Sequence, residues 1–370
     1  MTIDGPRACT AEELPEALAV QNQVLRLDAG HAPSIADDWP QIYNEANLEN
    51  VRVIKSDGKV VSAFGMNRAE VRLGSTTIQS AAINNVATYE AYRKRGLCGH
   101  LLNDAISMLR ELGGDICILG TPIPDYYRRF DWEYGGTKVR YVLDRETIKL
   151  LPDLGGLTVE KGFDGRWEEI FAIYDSGNIG ATLDAESFRI GRERHVLEAY
   201  SAVKNGSISA YIITILFQDQ KHPVVCEYGG DVDAALALVK HAFREWDEPT
   251  MSTSDSDSRF HHPEKETMIE VESPGFPTEL SSKLDDLRML KNTDYFYMIN
   301  VVNPSQLLRK IGLADATVVE NDDVMVTRAG CSETFTRREL VKWIFGPERI
   351  SDFCSDVLPV ELFYWRVDTG

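Results

Sequence analysis

Cysteine is sparse and dispersed. Cys9, Cys98, Cys117, Cys226, Cys331 and Cys354 are the only six in 370 residues. None forms a C-x-x-C pair, which excludes a zinc-ribbon arrangement and offers no disulfide framework. Thiols scattered in this way fit a reducing, cytoplasmic compartment. Basic charge is also short: Lys and Arg total 39 against 58 Asp and Glu, a net charge of −19. A general nucleic-acid binder needs a basic face to displace counterions from phosphates, and an anionic membrane surface makes the same demand, so neither partner is expected. Long apolar runs are missing. The longest, Ala210 to Phe217, is far too short to span a bilayer and reads as a buried strand. The opening residues Met1 to Arg7 lack the apolar core of a secretory signal. There is no internal repeat at solenoid periods. His261-His262 with Glu264 sits in a polar stretch without a helical i, i+4 pair, so no metal site is expected.

What remains is an ordinary globular mixture, 43% hydrophobic and 26% charged. The length predicts two or three domains. Breaks at Pro152–Gly156 and Pro274–Pro277 divide the chain into residues 1–150, 151–280 and 281–370. The acidity is concentrated in the middle one, with 11 basic and 24 acidic residues against 17 and 20 before it and 11 and 14 after it.

The segments read as mixed α/β. Thr10-Ala-Glu-Glu13 is a capping-box pattern ahead of a helix through Leu25. Val51–Ser56 and Lys59–Asn67 around Asp57-Gly58 predict a tight hairpin. Apolar residues from His100 to Leu112 recur at helical spacing, and Ile116–Leu119 is a wholly apolar strand. Further on, helices are expected at 166–175, 184–199 and 231–246, with strands at 199–204, 207–217 and 224–228. The last segment predicts a strand near 295–302, helices near 304–311 and 337–345, and a strand-like aromatic end, Phe363 to Asp368.

The most informative stretch is Asn84-Asn-Val86-Ala87-Thr88-Tyr-Glu-Ala-Tyr-Arg93-Lys94-Arg95-Gly96-Leu97-Cys98-Gly99-His100. It is a strand, a basic glycine-containing turn and the start of an amphipathic helix. A helix N-terminus presents unpaired amides and a partial positive charge, a ready cradle for a pyrophosphate. Gly96 and Gly99 would let the phosphate approach closely, and three consecutive basic residues add charge in an acidic chain. The stretch resembles the acetyl-CoA loop of the GNAT superfamily of N-acetyltransferases, with Arg93 and Gly96 on its Arg-x-x-Gly-x-Gly/Ala pattern and Cys98 at the last position. Downstream, Tyr127-x-Arg129-Phe130-x-Trp132 is similar to the family's Tyr and Phe-Gly-Phe signature, with Asp131 in place of glycine. Length and the run Val86 to Leu97 resemble the enhanced intracellular survival (Eis) family in particular.

That resemblance implies tandem GNAT-like mixed sheets over 1–150 and 151–280, the second degenerate, and a sterol-carrier-like α+β domain over 281–370. It implies acetyl-CoA as cosubstrate, bound by Val86, Ala87, Thr88, Arg93, Lys94, Arg95, Gly96, Leu97, Cys98 and Gly99. Acetyl would pass directly to a primary amine of a cationic acceptor: an aminoglycoside, a polyamine or a lysine side chain. Tyr127 would protonate the leaving thiolate, with neighbouring Tyr126 the competing candidate, and the carboxylate of Gly370 would act as base. Trp39 with Asp38, and Asp28 nearby, would face the acceptor, since carboxylates beside an aromatic ring suit an ammonium group. The family further implies homo-oligomers, often hexamers. A non-catalytic CoA- or lipid-binding module is the alternative that the last segment raises.

Overall fold

The computed structural model describes residues 2–194, 197–216, 220–247 and 266–369. The first segment builds β1 (Ile3–Ala8), α1 (Leu14–Leu25), α2 (Ile35–Asp38), β2 (Val51–Ser56), β3 (Lys59–Leu73), β4 (Thr76–Thr88), α3 (Leu97–Glu111), β5 (Ile116–Leu119), α4 (Pro124–Tyr127) and β6 (Glu133–Asp144). The β2–β3 hairpin forms as its turn residues dictate. Asp57 and Gly58 both adopt positive φ, 49° and 84°, the geometry that matches the twist of the flanking strands. Only half of the expected capping box is made. The Glu13 carboxylate accepts the Thr10 N–H at 3.1 Å, but α1 begins at Leu14 with no side-chain cap.

The middle segment builds β7 (Thr158–Lys161), α5 (Trp167–Asp175), β8 (Ala181–Thr182), α6 (Ala185–Arg192), β9 (Leu197–Lys204), β10 (Ser207–Ile215), β11 (Val224–Gly230), α7 (Val232–Asp247) and β12 (Met268–Pro274). The last builds α8 (Glu279–Asp286), β13 (Leu290–Val301), α9 (Pro304–Lys310), β14 (Thr317–Glu320), β15 (Val324–Arg328), β16 (Cys331–Phe335), α10 (Arg337–Phe345) and α11 (Arg366–Thr369). The helix expected over 184–199 stops at Arg192, because Leu197 onward pairs with β10 instead. The end of the chain is not a strand. Phe363, Tyr364 and Trp365 are buried through side-chain packing, Phe363 against Phe296 at 5.2 Å and Trp365 against Tyr228 at 4.9 Å, and α11 follows.

One sheet runs through all three segments in the order β1-β2-β3-β4-β5-β13-β6-β12-β11-β10-β9-β7, with β8 on β3. Its β4–β5 and β11–β12 pairs are parallel and the others antiparallel. Strand β13 is inserted between β5 and β6, pairing Met298 with Leu119 on one side and Tyr297 with Gly135 on the other. The four residues of β5 are all buried and need two neighbours, and the final third of the chain supplies one of them. Strands β14–β16 form a separate small sheet. Helix α3 covers one face of the first segment's strands through Leu101, Leu102, Ala105 and Leu109, while α1 and α2 cover the other through Ala17, Val20 and Ile35.

Candidate active site

Strands β4 and β5 pair only over Ser80–Ile116, Ala81–Cys117 and Ala82–Ile118. Beyond Ala82, β4 runs on to Thr88 without β5 beside it, so the sheet opens there. A bulge lies in the opened stretch. Across β3 the register passes from Ala63–Ala87 to Gly65–Asn84, leaving Asn85 and Val86 opposite Phe64. Asn85 takes a φ of 57°. One extra residue breaks the ladder and turns backbone amides away from it.

The bulge is held from α1 and the segment after α2. Buried Gln21 donates to the Asn85 carbonyl at 3.0 Å and to the Tyr43 hydroxyl at 2.7 Å, and the Asn85 side-chain amide donates to the same hydroxyl at 3.1 Å. Gly65 makes room for this knot: a Cβ there would fall 2.4 Å from Ile42 Cγ2 and 2.7 Å from the Tyr43 hydroxyl. Nothing in the sequence marked Gln21 or Tyr43. The Asn84-Asn85 pair was the one available hint, because Asn tolerates left-handed backbone.

From Thr88 the chain enters the basic turn. Lys94 and Gly96 adopt positive φ, 62° and 79°, and Gly96 is the N-cap of α3 with no side chain capping the helix. The first-turn amides of Leu97, Cys98 and Gly99 therefore have no side-chain acceptor. Arg93, Lys94, Arg95 and Gly96 are exposed. Arg93 Nε donates to the Thr88 carbonyl at 3.1 Å, and Arg95 donates to the Ala91 carbonyl at 2.8 Å with its guanidinium over Tyr92. An open, amide-lined, basic helix start fits a diphosphate. Gly99 has a packing role as well as the one expected. A Cβ on it would lie 2.6 Å from Phe130 Cε1, so this glycine lets α3 close onto Phe130.

Tyr127 ends α4 and is buried, 8% exposed. Burial, and the nearby Cys98 thiol, push its phenol above the ordinary tyrosine range against a hydrogen bond with Thr121, so the group stays protonated. Tyr126 is half-buried, bonds to Cys98 and lies under Arg129, whose guanidinium is 4.5 Å from its ring centroid. Burial raises the Cys98 thiol, which leaves it a poor nucleophile. The turn bearing both tyrosines is anchored by Glu133, which is 1% exposed. It accepts from Arg128 at 2.9 Å and from Arg338 of α10 at 2.6 Å. Burial alone would raise the Glu133 carboxyl, but the two guanidinium groups hold it below its usual value.

Of the residues expected to face the acceptor, Asp38 departs from the expectation. Asp38 is 2% exposed, pairs with Arg26 at 2.9 Å and accepts the Ser34 hydroxyl at 2.7 Å, so it faces inward as half of an ion pair. The Trp39 ring is met by guanidinium groups, Arg26 at 5.4 Å and Arg194 at 5.8 Å. Asp28 is exposed and accepts from Gln23 at 2.7 Å. Helix α11 lies on β3, where Asn67 donates to the Asp368 carbonyl at 3.0 Å. Gly370, His261, His262 and Glu264 lie outside the described residues. No group of three or more His, Cys, Asp or Glu among the described residues could hold a metal ion, and no described helix is long and apolar enough to cross a membrane.

Residues 6–135 match a family whose description is acetyltransferase (GNAT) domain. The chain carries a GNAT acetyltransferase domain. It is accordingly an enzyme of the GNAT type, and GNAT domains use acetyl-CoA as cosubstrate. Similar solved structures include a conserved protein from Enterococcus faecalis V583, described as a probable N-acyltransferase (TM-score 0.68, 12% identity, 98% of each chain covered). A GCN5-related N-acetyltransferase from Anabaena variabilis has a TM-score of 0.62 at 15% identity, over 90% of this chain and 85% of that one. Eis1 from Mycobacterium abscessus has a TM-score of 0.59 at 13% identity, over 90% and 84%. At such identities the likeness is one of fold, and it extends well beyond the GNAT domain into the middle and last segments. No curated protein sequence matches the chain.

Proposed function

We propose that this enzyme transfers acetyl from acetyl-CoA directly to a primary amine, in an Eis-like arrangement of a GNAT domain (1–150), a second degenerate GNAT-like segment (151–280) and a sterol-carrier-like segment (281–370). The observation that carries the reading is the opening between β4 and β5, set beside the uncapped, positively charged start of α3. The residues from Arg93 to Gly99 hold the diphosphate, and the β4 backbone from Val86 to Thr88 receives the pantetheine arm. The bound cosubstrate supplies the acetyl thioester. The chain aligns the amine against it. As the new C–N bond forms, the C–S bond breaks and the amine proton leaves to a base, the role that the Eis resemblance gives to the carboxylate of Gly370. The sulfur receives a proton from Tyr127, whose burial keeps that proton in place near neutral pH. The acceptor classes are aminoglycosides, polyamines and lysine, with cytoplasmic homo-oligomers as the working form.

Thiol release from acetyl-CoA, followed across amine classes, tests the proposal. Amine-dependent release supports it. Tight CoA binding without release on any amine would instead identify a non-catalytic CoA- or lipid-binding module.

A further inference from the structure

Arg194 follows α6 and is 3% exposed, yet its Nε and Nη1 are buried without a hydrogen-bond partner among the described residues. Its guanidinium stands 5.8 Å from the centroid of the Trp39 ring. Burial pushes its pKa down to about 10, helped by Arg366 and Arg192 and opposed by Cys226 and Asp38. The other buried cations around it are matched. Arg26 has Asp38 at 2.9 Å, Arg192 has Glu227 and has Asp368 at 2.8 Å, and Lys138 and Arg366 share Glu272 at 3.2 and 3.7 Å. A buried guanidinium without a counter-ion is among the most costly groups a fold can hold. Here the same fold supplies a carboxylate to each of its neighbours.

A second observation comes from the same seam between the GNAT domain and α6. Gln41, two residues beyond Trp39, has both amide atoms buried without partners among the described residues. It lines a cavity of about 340 Å³ together with Asn44, Asn67, Arg192 and Asp368, a volume suited to a molecule of amino-acid size.

We propose that Arg194, assisted by Gln41, binds a carboxylate carried by the acceptor, so that the molecule acetylated is an amino acid or a peptide end bearing both an amine and a carboxylate. A single positive charge without an ion pair among the described residues calls for a monoanion. The inference rests on the acetyltransferase reading and narrows its acceptor from polycations to amino acids, lysine among them.

The test uses the full-length chain with CoA bound and pairs each common amino acid with its carboxamide. Binding is read by calorimetry and turnover by thiol release. At least one amino acid should bind tenfold or more tightly than its carboxamide. Arg194→Met should abolish that difference without altering the KM for acetyl-CoA, and Gln41→Leu should weaken it several-fold. Arg194→Lys, which keeps the charge, should retain a reduced preference and serves if the Met variant does not fold. Equal affinity for acid and amide, or a preference that survives Arg194→Met, overturns the proposal. So does carboxylate binding that appears only after residues 369–370 are removed, since the chain's own terminus would then be the counter-ion. Carboxylate-selective binding without thiol release would support the site while defeating the acetyltransferase reading. Release with acids and amides alike would do the reverse.

Discussion

The bulge in β4 gives the sharpest test of how the cosubstrate site is built. Asn85 sits at a φ of 57° and donates to Tyr43 at 3.1 Å. Replacing it by Val removes that hydrogen bond, a net loss of about 1 kcal/mol. It also places a β-branched residue in left-handed backbone, which costs roughly 1–2 kcal/mol or more. Asn85→Val should therefore lose about 2–3 kcal/mol of stability, or else flatten the bulge and realign β4 with β3. Asn85→Gly loses the same bond but adopts positive φ freely, so its loss should stay near ~1 kcal/mol. The difference between the variants isolates the backbone requirement from the side-chain contact. Urea unfolding measures the stability half. Steady-state kinetics measures the functional half, where a misplaced β4 amide worth about 1.4 kcal/mol of binding appears as a tenfold rise in the KM for acetyl-CoA. The Val variant should show that rise and the Gly variant should stay within about twofold, less than 0.5 kcal/mol on the same scale. If the two variants shift the KM equally, the bulge does not shape the cosubstrate site and the argument fails.

Tyr127→Phe should lower kcat by roughly a hundredfold, the scale of a lost general acid, with the KM for acetyl-CoA little changed; a larger loss in Tyr126→Phe would move the acid to that residue. Gly99→Ala should destabilise the fold by about 1–3 kcal/mol through overpacking against Phe130, and Phe130→Leu should restore much of it. A Gly99→Ala enzyme of normal stability that simply binds acetyl-CoA poorly would refute the packing role and leave Gly99 with the phosphate role alone. His222 lies 3.3 Å from Glu266 and 3.5 Å from Glu270, and its pKa is raised above 6.5 by the Glu270 hydrogen bond. Its stabilising effect is therefore full below that value and lost as pH rises through the higher folded value. The melting-temperature gap between wild type and His222→Gln should be open at about pH 5.5 and closed by about pH 9; a gap that widens with pH refutes the pairing. Residues 1–150 expressed alone should aggregate, because β5 and β6 would expose unpaired edges; a soluble, cooperatively folding fragment would show that β13 is dispensable.

Local chemistry made the strand, the basic turn and the helix that build the proposed cosubstrate site readable. The hairpin at Asp57-Gly58, the α3 stripe and the apolar β5 each follow from residues within one turn or one strand of each other, and so does the basic turn with its left-handed Gly96. Surroundings decided by distant partners were not readable. Asp38 looked like an outward carboxylate until Arg26, twelve positions earlier, turned it inward. Gly99 looked like a phosphate glycine, and only the approach of Phe130, more than thirty residues on, gives it another reason to be small. Strand β6, with its adjacent glycines, and strand β12, which ends in Pro274, carry breaker residues that hid them from a propensity reading.

The placement of β13 changes what the last segment does. An accessory domain hung on a linker could be lost without touching the chemistry. Here the strand that separates β5 from β6 comes from residues 290–301, so the spacing of the strands leading into the site depends on it. The dependence continues past the sheet. Tyr134 stacks on Tyr295 at 4.7 Å, and Glu133 is shared between Arg128, beside Tyr127, and Arg338 of α10. A buried carboxylate with two guanidinium partners is strongly destabilised when one is removed, so the turn that carries Tyr127 takes its geometry as much from α10 as from its own neighbours. The C-terminal segment thus anchors the turn that carries Tyr127, and Gln41, which lines the cavity, and Arg194, beside Trp39, lie in the seam where the middle segment meets the GNAT domain. A seam assembled from different parts of the chain is where acceptor recognition can diverge while the β4–α3 geometry, the proposed cosubstrate cradle, stays fixed.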